Sequence, residues 1–205
     1  SSLFFGTREK TKAELAAELC ALLAFSAVRN NDRVGLIVFT DKIEKAIPPK
    51  KGRQHVLRII REVLFFKPEG RNTDIAGALQ YLSRIQKRKA VVFLLSDFMA
   101  EGYEKAIAIA GKRHDLIAVP LSDRREQEME PVGLVELEDA ETGERVVVDT
   151  NDPKTRELFA RLTGARETAR DKVFTSVDLD SIPVQTGEPY DRSLVKFFKA
   201  RARRA

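Results

Sequence analysis

Three short, unbroken apolar runs constrain this chain most: VGLIVF at 34–39, KAVVFLL at 89–95 and DLIAVPL at 115–121. A strand with one wet face alternates apolar and polar residues. A run that stays apolar suits a strand covered on both faces, as in a parallel sheet with helices above and below. Segments with helical periodicity separate the runs, and strands that alternate with helices argue right-handed crossovers. The expected fold is therefore α/β, a three-layer, doubly wound, mostly parallel sheet, Rossmann-like in layout.

Local signals fill in the elements. Thr11 and Glu14 have capping-box spacing, and Leu15, Leu19, Leu22, Leu23 and Ser26 then share one helical face that ends at Asn30 and Asn31. Residues 42–47 (KIEKAI) alternate and read as an edge strand closed by Pro48 and Pro49. Helices are expected at about 53–65, after Thr73 with Ile75, Ala78, Leu79, Leu82 and Ile85 inward, and at about 101–113. Past the third run the pattern changes. Residues 134–138 and 145–149 flank Thr142 and Gly143, which predicts a β-hairpin insertion within about 132–149. Asp152 as N-cap and Pro153 as first helical residue open a helix to about residue 170. A last strand is expected at 173–179 and a last helix at 192–204. With no internal repeat or low-complexity linker, residues 1–205 read as one domain.

Composition excludes some classes. Hydrophobic residues at 43% and charged residues at 33% describe a soluble globular chain. No apolar run approaches the roughly 18–20 residues of a membrane helix, so no membrane span is expected. The single cysteine, Cys20, forbids an internal disulfide and reads as a small buried thiol, in keeping with a cytoplasmic location. The net charge of +5 owes much to Lys196, Lys199, Arg201, Arg203 and Arg204. Such a tail reads as a solvated helix end favoured by the macrodipole. Nucleic-acid binding through it ranks last, since three Tyr and no Trp leave few stacking platforms beyond Phe.

In open parallel sheets, ligands gather at the carboxyl ends of the strands. There the first run leads into Thr40 and Asp41, and the second into Ser96 and Asp97. The loop GRNTD brings Thr73 and Asp74 to the start of a helix, and Ser1 and Ser2 precede the first helix. Taken singly, Thr73 and Asp74 read as helix caps, Asp97 as a loop carboxylate capping the next helix, and Asp41 as a turn residue. Together, hydroxyls and carboxylates on consecutive connections suit a hard cation such as magnesium. His55, in the basic segment KKGRQH, reads as a surface helix residue, and His114 as the maker of a structural hydrogen bond. The chain has no G-x-x-x-x-G-K-[ST] loop, G-x-S-x-G elbow or H-E-x-x-H pair, and the expectation is a protein that is not an enzyme.

The stretches SSLFFGT, DRVGLIVFTDKIEKAIPPKKGRQHVLRII, PEGRNTDIAGAL, VVFLLSDF, RHDLIAV and VGLVELEDAETGE, with the ending SLVKFFKARARR, closely resemble one bacterial family. It is family fifty-eight of the domains of unknown function, a von Willebrand factor A-like group often encoded beside MoxR-type AAA+ ATPases. The resemblance covers nearly the whole chain. It implies a metal-ion-dependent adhesion site (MIDAS) with an Asp-x-Ser-x-Ser motif, a Thr and an Asp. Ser2 would be the last serine, Thr73 the threonine and Asp97 the aspartate, with Ser1, Asp74, Ser96 and Asp41 around them. The motif's aspartate would lie three residues before Ser1 and its first serine immediately before Ser1. This sequence holds neither, nor the central strand that precedes them. An N-terminally truncated domain is therefore expected, with a gap in its sheet that a neighbouring chain fills or that leaves the domain unstable.

The implied ion is magnesium, manganese or calcium, with one coordination position open to an acidic side chain of a protein partner. The implied function is metal-dependent protein binding beside a MoxR-type AAA+ ATPase, in a chaperone-like or complex-assembly role. The alternatives are a magnesium-dependent hydrolase of phosphate esters and a nucleic-acid-binding protein.

Overall fold

The structure is a computed structural model that describes residues 11–70, 72–138 and 145–202. At its start the Thr11 side chain accepts from the Glu14 amide, and the Glu14 carboxylate accepts from the Thr11 amide. This reciprocal cap satisfies N–H groups that a helix start leaves unpaired, and it opens helix α1 (Lys12–Arg29). Strands β1 (Val34–Phe39) and β2 (Ile43–Lys50) follow, then helices α2 (Arg53–Leu64) and α3 (Ile75–Ile85). Next come β3 (Val91–Ser96), α4 (Glu104–Arg113), β4 (Asp115–Ser122) and the one-turn helix α5 (Arg124–Gln127). The hairpin β5 (Leu134–Glu138) and β6 (Arg145–Asp149) stands where its alternation predicted. Helix α6 (Pro153–Ser176), short strands β7 (Asp180–Ser181) and β8 (Val184–Gln185), and helix α7 (Tyr190–Ala202) make up the rest.

β4 organises the core. It pairs in parallel with β3 along one edge and with β7 and β8 along the other. Successive side chains on a strand point to opposite faces. Leu116 and Ala118 accordingly join Ile75, Leu79, Ile107, Ala110 and Phe174, from α3, α4 and α6. Ile117, Val119 and Leu121 face Leu15 and Leu19 of α1 and Leu194 of α7. Helices thus cover both faces of a parallel sheet, and each large apolar side chain buried this way contributes about 1.5–3 kcal/mol.

Several expectations change. β2 does not close at Pro48 but runs through both prolines to Lys50, with a register shift opposite Val34 and Leu36. It is an edge strand, where a missing N–H is tolerated. The strand expected at 173–179 is absent, because α6 continues to Ser176 and buries Phe174. The chain reaches β4 only afterwards. On that edge Ala118 and Ser122 accept from the Ile182 and Thr186 amides. Pro120 lies between them with no N–H to donate, and the ladder splits there into β7 and β8. On α1, Lys12, Leu15 and Leu19 turn inward while Leu22 is exposed.

β1 and β3 are apolar like β4, yet each is mostly half-buried. Among the described residues β1 pairs only with β2, antiparallel and in a two-stranded sheet of its own rather than in the parallel sheet expected to include it, and β3 pairs with β4 alone. Helix α1 contacts both β1 and β4, and Phe39 packs on the core formed by α3 and α4, so the two strand groups share their helical cover. An apolar strand with an open edge is a template for another chain. The 205-residue chain by itself is therefore expected to self-associate, and sedimentation as a stable monomer would count against this.

His114, at the start of β4, does not make the structural hydrogen bond expected of it. Its ring is buried and neither nitrogen has a partner among the described residues. Burial, with Arg113 nearby, holds its pKa below the ordinary 6.5. The unfolded chain therefore binds the proton more readily than the folded one. Stability is complete above pH 6.5 and falls as pH drops towards the lower, folded value. His114→Leu removes both unsatisfied nitrogens. It is expected to raise the melting temperature at neutral pH by about 2–4 °C, for about 1 kcal/mol gained, and to flatten the decline below pH 6.5. Melting curves with an unchanged pH dependence would contradict this.

Candidate functional site at the carboxyl ends of the strands

The loop before α3 is tied to the end of β1 by one carboxylate. Glu44 Oε1 accepts from the Thr40 hydroxyl at 2.8 Å and from the Glu69 and Gly70 amides at 3.1 and 2.9 Å. Asp74 N donates to Thr40 O at 2.8 Å. Gly70 lies so close that a Cβ there would fall 1.9 Å from Asp41 Oδ1 and 2.3 Å from Thr40 Oγ1. Only glycine permits that approach. Asp41 and Asp74 meet in a cleft of about 230 Å³ that Thr40, Tyr81 and Arg84 also line.

Asp74, not Thr73, caps α3, with its Oδ1 accepting from the Gly77 amide at 2.8 Å. Gly77 makes room for it, since a Cβ there would lie 2.2 Å from Asp74 Oδ2. The Thr73 hydroxyl is left without an intramolecular hydrogen bond among the described residues. The capping reading thus belongs to Asp74.

Asp97 follows β3 and does not cap α4, whose N-cap is Tyr103. Its Oδ1 accepts from the Met99 amide at 3.2 Å, and the Ser96 hydroxyl accepts from the Phe98 amide at 3.1 Å. Between these turns Phe98 has φ +57°, a left-handed conformation that costs a bulky residue about 1–2 kcal/mol. Edge-to-face contacts with Tyr103 and Phe174, at 5.7 and 5.0 Å, hold it there. Ile75 and Phe98, close in sequence to Thr73 and Asp97, share one core cluster. Ser1 and Ser2 lie outside the described residues.

A lysine completes this edge. Lys12 is fully buried, with its ammonium 3.4 Å from Asp97 Oδ2 and 2.5 Å from Glu126 Oε1. Glu126 is itself fixed, as its Oε2 accepts from the Asp123 amide in the capping box of α5. Buried Asp123 accepts from the Thr186 hydroxyl. Burial pushes the Glu126 carboxyl above its ordinary pKa, with Lys12 opposing.

The described residues hold no cluster of three or more His, Cys, Asp or Glu set for a metal. The implied donor set is of another kind, hydroxyls with one carboxylate, and hard oxygens of that type suit magnesium. Asp97 already carries a cation in the form of an ammonium. Thr73 and Asp97 are thus donors of a type a divalent cation takes, and at Asp97 such an ion would share the carboxylate with Lys12. The remaining candidates are structural. His55 Nε2 lies 2.9 Å from Val34 O, burial pushes the Cys20 thiol up to about 11, and Arg201 pairs with Asp115 and Asp180.

Sequence reasoning missed Glu44, Lys12 and Glu126. Only Glu126 left a local signal, its capping-box spacing from Asp123. Hydrogen bonds from Gly70 N first, then from Thr40 and Glu69 N, lower the Glu44 pKa from 4.5. Its contribution is therefore present above that value and lost as pH falls through the lowered one. Glu44→Gln is expected to speed amide exchange at Glu69 and Gly70. Protection there that ignores both the substitution and acidification would refute the clamp.

Comparison with known proteins supports the family assignment within the sequence resemblance. Uncharacterized protein Rv1480 of Mycobacterium tuberculosis is 28% identical over 209 positions, covering 100% of this chain and 65% of that protein. Uncharacterized protein Mb1516 of Mycobacterium bovis is similar to the same extent. Uncharacterized protein MAV169 of Mycobacterium avium is 26% identical over 162 positions, 78% of this chain and 95% of that protein. The chain thus spans 65% of the length of the first two relatives. No solved structure matches it. The family model described as "Protein of unknown function DUF58" matches residues 1–169, and the chain belongs to that family.

Proposed function

We propose that this chain is a metal-dependent protein-binding module of the von Willebrand factor A type. Thr73 and Asp97, with Ser2, would hold a divalent cation, magnesium or else manganese or calcium. The observation that carries this reading is the pairing of roles at the strand ends. Asp74 takes the helix cap, and the Thr73 hydroxyl has no partner among the described residues, while Asp97 stands at the next strand end with a cation against it.

Neutral hydroxyl ligands and a single carboxylate leave a bound ion electrophilic, so it can take a further carboxylate from a partner. The contact is directional and charge-assisted, suited to reversible assembly. The protein's own groups aim the donors. The Phe98 turn orients Asp97, and Glu44 and Asp74 hold the loop that carries Thr73. A MoxR-type AAA+ ATPase is the proposed partner, in a chaperone-like or assembly role in the cytoplasm. That part rests on the family resemblance. Among the described residues no helix is long and apolar enough to cross a membrane.

Calorimetric titration of Mg²⁺ and Mn²⁺ into the full-length protein tests the site. Saturable binding is expected, weakened by Thr73→Val and abolished by Asp97→Ala. Binding that survives Asp97→Ala would remove the proposed ligand set, and an ATPase complex that persists in EDTA would remove the adhesion mechanism.

A further inference from the structure

Among the described residues, Lys12 is a buried cation on this edge that the metal reading leaves unused. Lysines are almost never fully buried unless paired. This one has a side-chain exposure of 0% and two carboxylates, Asp97 at 6% exposure and Glu126 at 30%. The three come from distant parts of the chain, the start of α1, the end of β3 and helix α5. The ammonium sits nearer Glu126, at 2.5 Å, than Asp97, at 3.4 Å. Glu126 cannot follow a shifting lysine freely, because its other oxygen is held by the Asp123 amide at 3.1 Å. A fixed anchor therefore draws the ammonium towards itself while leaving it within ion-pair range of the carboxylate assigned to the metal.

We propose that Lys12 is a built-in competitor for the cation at Asp97, and that Glu126 sets the strength of the competition by holding the ammonium partly away. This rests on the reading of Asp97 as a metal ligand. A like charge in ion-pair range of that carboxylate weakens its hold on a divalent ion, and low-dielectric surroundings amplify the effect. The site is thereby tuned towards weak binding of the ion alone and stronger binding once a partner's carboxylate adds negative charge. Lys12 is a positioning and charge-setting residue, not a ligand.

The two members of the pair act with opposite sign, which gives the test. Mn²⁺ is titrated calorimetrically into the full-length protein and into Lys12→Met, Glu126→Gln, the double variant and Asp97→Ala, each checked for folding by circular dichroism. Lys12→Met should tighten Mn²⁺ binding by about tenfold, and Glu126→Gln should loosen it by a similar factor, since the released ammonium then pairs with Asp97 alone. In the Lys12→Met background, Glu126→Gln should have little further effect. Should Lys12→Met fail to fold, the loosening by Glu126→Gln decides the matter. Unchanged affinity in the folded single variants, with Asp97→Ala still abolishing binding, would overturn the competition and leave the metal site standing. No binding by either the unaltered protein or Lys12→Met would overturn the metal reading and this inference together. Binding by Lys12→Met alone would establish the competition in its strongest form.

Discussion

The structure depends on one strand buried on every side. β4 has hydrogen-bonded neighbours along both edges and helices over both faces. Its alternating side chains feed two separate cores, so neither helical layer can move without disturbing the other. Close packing makes such a wall stiff. That stiffness carries outward to the strand ends, where Asp97 leaves β3 and Asp123 leaves β4. Polar side chains held at the rim of a rigid sheet keep their spacing better than side chains on free loops.

The same rim concentrates charge in a place where charge is costly. Removing an ammonium or a carboxylate from water carries a penalty of several kcal/mol, offset only by good partners. Lys12 meets that condition by facing two carboxylates, one of them fixed by the α5 cap. The left-handed Phe98 backbone is a further local cost at this edge. Strain of this kind persists where surrounding contacts over-determine it and tends to gather at functional sites. The Phe98 strain lies directly beside Asp97.

Much of the architecture was legible in the residues because its causes are local. The Thr11/Glu14 capping box, the VGLIVF run and the Asp152–Pro153 helix start each stand where their spacing placed them. The hairpin strands at Leu134–Glu138 and Arg145–Asp149 do too. The candidate edge was legible for the same reason, since polar residues directly follow buried strands. The errors share a different cause. β2 continues through its prolines because it lies at an edge, and α6 overran the expected strand because Phe174 finds a place in the core.

The sequence by itself determined most of the segments that become strands and helices, and that hydroxyls and carboxylates follow the apolar runs. Hydrophobic periodicity and backbone capping act over a few residues and can be read in order. Only the tertiary structure decided that Asp74 rather than Thr73 takes the cap, and that Glu44 ties down a loop 25 residues away. It alone brought Lys12 across 85 and 114 residues of chain to Asp97 and Glu126. Read along the chain, a lysine after a helix cap is a surface residue. Its burial follows from which partners the folded sheet brings within ion-pair distance, and sequence spacing does not encode that.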